Sequence, residues 1–139
     1  MTERRGWSGT TKRTLEQGAM LGAKWWAIGD ELACMYQRSF ETKFGTGYNF
    51  LLVKPQSLTV AIGEFGVTTK KGDGEQRQIT AFSIPPLAGF EMALQDLQSS
   101  GFPGFKSFDR VIIRCVEIQK ADDFGRSDMP MFEISVDAR

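Results

Sequence analysis

The side chains that could do chemistry in this sequence are aromatic rings beside Lys and Arg, in and around two polar segments that contain glycine. Rings stack on nucleobases and cations contact phosphates, so this combination is typical of single-strand binding. Stacking is worth roughly 1–3 kcal/mol per base and tolerates any base. The candidate binding residues are Arg38, Phe40, Lys43, Phe44 and Tyr48 around the first segment, Phe50 and Lys54 after it, Arg77 and Phe82 on a later strand, and Lys120, Phe124 and Arg126 around the second segment.

Each candidate also has a structural interpretation. Phe50 and Phe82 are core residues if their strands turn them inward, as half of a small barrel's strand residues do. Tyr48 suits a half-exposed position, because its hydroxyl needs a partner. Phe44 and Phe124 lie in polar segments with less core to join, which favours a binding role. The cations are solvated charges in the alternative interpretation, and their grouping beside rings favours phosphate contacts.

The sequence offers little for catalysis. It contains no histidine and two cysteines, Cys34 and Cys115, which excludes His-based acid–base chemistry, Ser-His-Asp triads and most zinc sites. Asp122 and Asp123 have no further ligand cluster and are predicted to lie in a solvated loop. We therefore predict no enzymatic activity, no cofactor and no metal. The cysteines are predicted to be buried core thiols.

Length and composition predict one soluble domain. The chain has 139 residues, 41% of them hydrophobic and 24% charged. A chain of this size can bury a hydrophobic core without help from disulfides or a metal. The formal net charge is zero, which counts against simple nucleic-acid binding. Residues 1–54 nevertheless hold eight Lys/Arg and five Asp/Glu, which is compatible with a local basic patch or with chance. With no export leader and no apolar run of about 20 residues, a cytoplasmic location is predicted.

The first part of the chain is predicted to be an appendage. Residues 1–27 are interpreted as a flexible basic and aromatic arm and lead-in, and residues 28–139 as the folded domain. Trp7 in this arm could stack on a base or dock on the domain. On a strand, the adjacent Trp25 and Trp26 would point to opposite faces, so one is predicted in the core or at a dimer surface and the other exposed.

Alternating apolar residues and turn signals predict strands followed by one helix and further strands. Pro55 is expected to stop or bend the second strand. The helix is predicted over Leu87–Ser99, because prolines precede it, Gly101 follows it and Phe90, Leu94 and Leu97 share one face. The first strand is predicted over about 31–40. The second is predicted over 48–54, with a further extended stretch over 57–69. The remaining strands are predicted over 77–84, 111–120 and 131–136.

Grouped in this way, the order is strand, strand, strand, helix, strand, strand. This is the order of a mainly β protein with a five-stranded OB-fold, a Greek-key barrel with one α-helix between strands 3 and 4. The first and fourth strands are neighbours in that topology. Cys34 and Cys115 are therefore predicted on adjacent strands.

Two stretches carry a family resemblance. The segments Ile28-Gly29-Asp30-Glu31-Leu32, Arg38 to Gly45 and Tyr48-Asn49-Phe50 resemble the opening hairpin of phage-type single-stranded DNA-binding proteins. The stretch 108–114 resembles their fourth strand, which commonly starts Gly-Asp-Arg-Val; here Phe108 occupies the glycine position. The resemblance covers about residues 28–136.

The resemblance implies a protein that binds single-stranded DNA with little sequence specificity and protects it during bacteriophage replication or recombination, in the host cytoplasm. A homodimer is also expected, because small OB proteins often gain affinity by linking sites, and no membrane association is expected. RNA is the second compatible ligand, because discrimination rests on the 2′-hydroxyl. Many relatives recruit replication or recombination proteins through an acidic tail. Only Asp137-Ala138-Arg139 follows the last predicted strand, so either such a tail is missing from this sequence or this member lacks one. Replication or recombination proteins stay possible partners.

Other functions fit the same fold, because an OB barrel does not by itself determine a ligand. The main alternative is a protein–protein interaction module, such as an inhibitor or assembly factor, without nucleic-acid binding. Zero net charge and the Trp25-Trp26 pair favour it. A subunit whose barrel only mediates oligomerisation is a further alternative.

Overall fold

The computed structural model describes residues 19–60, 67–68, 74–120 and 128–137. The predicted arm over 1–18 and the candidates Phe124 and Arg126 lie outside these ranges. Within them the strands are β1 (Met20–Leu21), β2 (Glu31–Thr42), β3 (Gly45–Val60), β4 (Val67–Thr68), β5 (Glu75–Ile84), β6 (Arg110–Gln119) and β7 (Met129–Asp137), and the helix α1 (Ala88–Ser99) lies between β5 and β6.

The strands form one sheet that curls into a half-barrel, in the order β4-β1-β5-β3-β2-β6-β7. The two-residue strand β1 runs parallel to β4 and β5, and the other pairs are antiparallel. Within the described ranges, the mainly β architecture with one helix is confirmed. The predicted count of five strands is wrong, because β1 and β4 extend the sheet beyond β5.

The predicted contact between the first and fourth strands is confirmed. β2 pairs with β6 over five register positions, from Glu31 opposite Arg114 to Met35 opposite Arg110. Cys34 lies opposite Val111 in this ladder. Among the described strands, this short ladder alone joins β6 and β7 to the rest of the sheet.

β3 continues through Pro55 to Val60 rather than stopping there. Its register with β5 is interrupted between Leu51 and Gln56. A proline has no N–H to donate to a ladder hydrogen bond. Pro55 lies within the interruption, where the ladder needs no such bond. The proline thus shifts the pairing while the strand remains extended.

The inner side of the sheet carries the core, in the alternation that strands impose. Every second residue is buried, Leu32 and Cys34 on β2 and Val111, Ile113 and Cys115 on β6. Both cysteines are free thiols, and burial raises the pKa of each. The predicted core role of the cysteines is confirmed.

Residues 19–27 belong to this core. Leu21 on β1 is fully buried, and the segment that follows turns over residues 23–25. Trp25 is 1% exposed and Trp26 is 4% exposed, with their rings edge to face at 4.9 Å between centroids. The prediction that one tryptophan is exposed is wrong, because the pair lies in the non-strand segment between β1 and β2, where strand alternation does not apply.

The two indoles differ in their hydrogen bonding. The Nε1–H group of Trp25 donates to the carbonyl oxygen of Thr59 at 2.9 Å. The Nε1–H group of Trp26 is buried and has no acceptor among the described residues. A buried donor without an acceptor carries the full desolvation penalty of the group.

We therefore expect Trp25→Phe to lower the free energy of unfolding by about 1 kcal/mol more than Trp26→Phe. Both changes remove similar apolar area, but only Trp25→Phe breaks a hydrogen bond, the one to the Thr59 carbonyl. Urea denaturation followed by circular dichroism measures both values. Equal losses in the two variants would contradict this assignment.

The helix α1 matches its predicted range to within one residue and packs against the end of β7. Phe90 and Leu94 are buried on its inner face, as the spacing predicts. Gly89 in its first turn lies against the backbone of Pro130 on β7. No helix in the described ranges is long and apolar enough to cross a membrane.

Candidate functional site

The residues that alternate with the buried ones form an outer surface over β2, β3, β6 and β7. Cross-strand register orders them in rows. The central rows are largely apolar, and towards the β2–β3 turn the rows become polar and aromatic. The outer surface comprises Ala33, Ile112 and Ser135 in one row, Leu51, Met35, Arg110 and Asp137 in the next, then Asn49 and Arg38, and finally Gly47 and Phe40.

A bulge in β2 places Phe40 on this surface. The register with β3 shifts between Tyr36 and Arg38, so that Arg38 pairs with Asn49 and Phe40 with Gly47. The Phe40 ring lies directly over Gly47, where an added Cβ would overlap it. Phe40 is half-buried and Arg38 is exposed. The structure therefore brings one ring and one cation together on the outer surface.

The β2–β3 turn presents a second ring and cation. Phe44 is 80% exposed, and the Lys43 ammonium lies 5.2 Å from the centroid of its ring. The Thr42 hydroxyl donates to the Gly45 carbonyl at 2.9 Å and accepts from the Phe44 N–H at 3.1 Å. These bonds fix the turn backbone that carries the exposed ring, so little backbone freedom is lost on binding.

Phe50 and Phe82 belong to the core and not to this surface. Phe50 is fully buried, and its ring stacks on Phe82 at 5.3 Å between centroids. Neither ring has a free face for a base, so we assign both a structural role. This outcome follows the structural interpretation that the sequence left open.

Tyr48 also points to the inner side. Its ring packs on Phe90 and its hydroxyl donates to Glu91 Oε1 at 2.6 Å. Burial raises the pKa of Tyr48, and the hydrogen bond to Glu91 raises it further. The carboxylate on α1 therefore holds the tyrosine in place, away from the outer surface.

The remaining cations lie apart from the Phe40 and Phe44 region. Lys54 is exposed near the interruption in β3. Arg77 on β5 pairs with Glu75 at 3.0 Å. Lys120 pairs with Asp128 at 3.5 Å, beyond the other end of β2 from the turn. The structure thus gathers Arg38, Phe40, Lys43 and Phe44 and separates them from the rest.

A groove of about 300 Å³ crosses the apolar rows of the outer surface. Its lining includes the apolar residues Ala33, Val53 and Ile112 and the charged residues Arg110 and Asp137. Val53 and Ile112 are more exposed than large apolar residues on a strand usually are. The groove is continuous with the polar rows, because Arg110 pairs with Met35 three positions before Arg38.

Sequence reasoning missed Phe108, which precedes β6. It is 51% exposed and has a φ of 70°, a left-handed conformation that costs a non-glycine residue on the order of 1 kcal/mol. The one available signal was the phenylalanine at the glycine position of the resembled motif. Next to it the buried Asp109 carboxylate accepts from the Lys106 N–H at 2.8 Å.

Comparisons with known proteins do not extend this description. The chain matches no protein-family model, no curated protein and no solved structure. The functional argument therefore depends on the geometry above.

Proposed function

We propose that this protein binds single-stranded DNA with little sequence specificity, and that it protects exposed strands during replication or recombination. The bases would stack on Phe40 and Phe44, and the phosphates would contact Arg38 and Lys43. Such binding needs ring faces and cations along one path and no readout of base edges.

The observation that carries the proposal is the fixed β2–β3 turn with its open ring. Phe44 is 80% exposed and adds nothing to the core. Its N–H donates to the Thr42 hydroxyl, which itself donates to the Gly45 carbonyl, and its ring lies beside the Lys43 ammonium. An exposed ring face beside a cation is the arrangement that a stacked base and its phosphate require. Stacking gives that ring a role.

We further propose that the domain is an OB-type barrel. The support is the order of the five longer strands, β5-β3-β2-β6-β7, with the helix between the third and fourth of them in sequence. OB folds bind single strands on the face of their second and third strands and at the loop before them. Those elements correspond here to β3, β5 and the β2–β3 turn.

A protein-interaction module is the second candidate. The groove over Ala33, Val53 and Ile112 favours it, because an apolar depression on an outer face is typical of a docking site. The tryptophan pair no longer supports it, since both rings are buried.

Fluorescence anisotropy with labelled oligo-dT tests the proposal. We expect binding at low salt, and with the two phosphate contacts a loss of about sevenfold in affinity between about 50 and 200 mM salt. Phe44→Ala is expected to weaken binding about tenfold, the equivalent of one lost stack.

The matched control is Met92→Ala, which removes an apolar side chain that is 50% exposed on α1. It should leave affinity unchanged. Absence of binding by the wild-type protein at low salt would end the proposal and leave the interaction module as the better candidate.

A further inference from the structure

Phe108 combines three properties that a core or linker residue does not need. Its ring is 51% exposed, its backbone has a φ of 70°, and it is a phenylalanine at a left-handed position that usually takes glycine. Strained residues of this kind persist where the surroundings hold them and often mark binding sites. The question is which ligand an exposed ring at this position would contact.

Hydrogen bonds to β2 and within the loop hold Phe108 in place. Its N–H donates to the Tyr36 carbonyl at 2.7 Å, and the Tyr36 N–H donates to the Asp109 carbonyl at 2.9 Å. The Ser107 hydroxyl donates to the Gln37 carbonyl at 3.4 Å. The loop is therefore attached to β2 at its bulge, and the ring is carried by a fixed backbone.

This attachment places Phe108 beside the proposed binding surface. The bulge lies between Tyr36 and Arg38, and Arg38 is the cation that accompanies Phe40. From Gln37 to the β2–β3 turn is six residues along β2, roughly 20 Å of extended strand. Phe44 and Phe108 thus lie near opposite ends of one stretch of β2, with Arg38 and Phe40 between them.

The charges around Phe108 favour a polyanion. Lys106 and Arg110 flank it and are exposed, and neither makes an ion pair with another described residue. Two acidic residues adjoin this stretch: Asp109 in sequence, which is buried, and Asp137, which is exposed and lies opposite Arg110 in the ladder. The exposed charge beside the ring is therefore positive on both sides in sequence.

We propose that Phe108 is a second base-stacking residue, which extends the path of a bound single strand from the β2–β3 turn along β2, with Lys106 and Arg110 contacting phosphates. This inference rests on the proposed function. It gives the bound single-stranded DNA a longer binding site than the β2–β3 turn alone.

Tryptophan fluorescence tests the assignment directly. We expect the indole introduced by Phe108→Trp to be quenched when saturating oligo-dT is added. The control is Met92→Trp, at a position of nearly equal exposure on α1, where no added quenching beyond that of the wild-type protein is expected. Equal responses of the two variants would overturn the assignment.

Affinity provides a second measurement with two further variants. Phe108→Tyr keeps a ring and should bind oligo-dT as the wild type does. Phe108→Leu keeps apolar bulk but has no ring, and should bind about fivefold more weakly.

These experiments distinguish a failure of the Phe108 assignment from a failure of the proposed function. If the wild type binds and Phe44→Ala weakens binding while Phe108→Leu binds normally, Phe108 has no stacking role and the proposed function stands. If the wild type binds no oligo-dT, both proposals fall.

Discussion

Replacing Gly89 by Ala is expected to lower the free energy of unfolding by about 3 kcal/mol, the upper range for overpacking. In an exposed helix the same change would raise stability by about 1 kcal/mol, because alanine has the higher helix propensity. Here an added Cβ would overlap the Pro130 carbonyl oxygen and lie 3.1 Å from its carbonyl carbon. Both are backbone atoms and cannot rotate away, so α1 would have to move off β7.

Urea denaturation followed by circular dichroism measures this loss. Gln95→Ala, at an exposed position of the same helix, is the matched control and should change stability by less than about 0.5 kcal/mol. A stabilising effect of Gly89→Ala would mean that α1 does not approach Pro130 as closely as described.

Truncation of Phe50 is the second large expected effect. Phe50→Ala should lower the free energy of unfolding by about 4 kcal/mol, as is usual for a buried phenylalanine. The ring is fully buried and contacts the rings of Tyr36, Phe82, Phe90 and Phe105. Its loss would leave a cavity at the centre of the aromatic core.

Phe44→Ala is the comparison that separates a core ring from a binding ring. Phe44 is exposed, so its removal should leave the free energy of unfolding within about 0.5 kcal/mol of the wild type. A large loss for Phe44→Ala, or a negligible one for Phe50→Ala, would reverse the assignment of the two side chains.

Much of the architecture was predictable from local signals. The helix emerged from its spacing of Phe90 and Leu94 and from the flanking Pro86 and Gly101, and the observed range agrees. The contact between the first and fourth strands followed from element order alone. The short strands β1 and β4 were not predictable, because two residues carry no period.

The face on which each candidate lies was less predictable. Leu32, Cys34 and Tyr36 turn inward, and strict alternation would also send Phe40 inward. The bulge after Tyr36 adds one residue to β2 and reverses this order, which brings Phe40 outward over Gly47. The composition of residues 36–38 does not predict a bulge. The sequence pattern therefore could not show that Phe40 faces outward while Phe50 faces the core.

The ladder between β2 and β6 has a mechanical consequence. Five paired positions and the flanking hydrogen bonds at Asp30 and Tyr36 hold β6 to β2, and β7 reaches the other described strands through β6. This seam therefore joins the two parts of the sheet. A polymer that reached from the β2–β3 turn to Arg110 would cross the seam and bridge its two sides. Occupancy would then slow amide exchange at Ala33 and Ile112 by clamping the sheet as well as by shielding it.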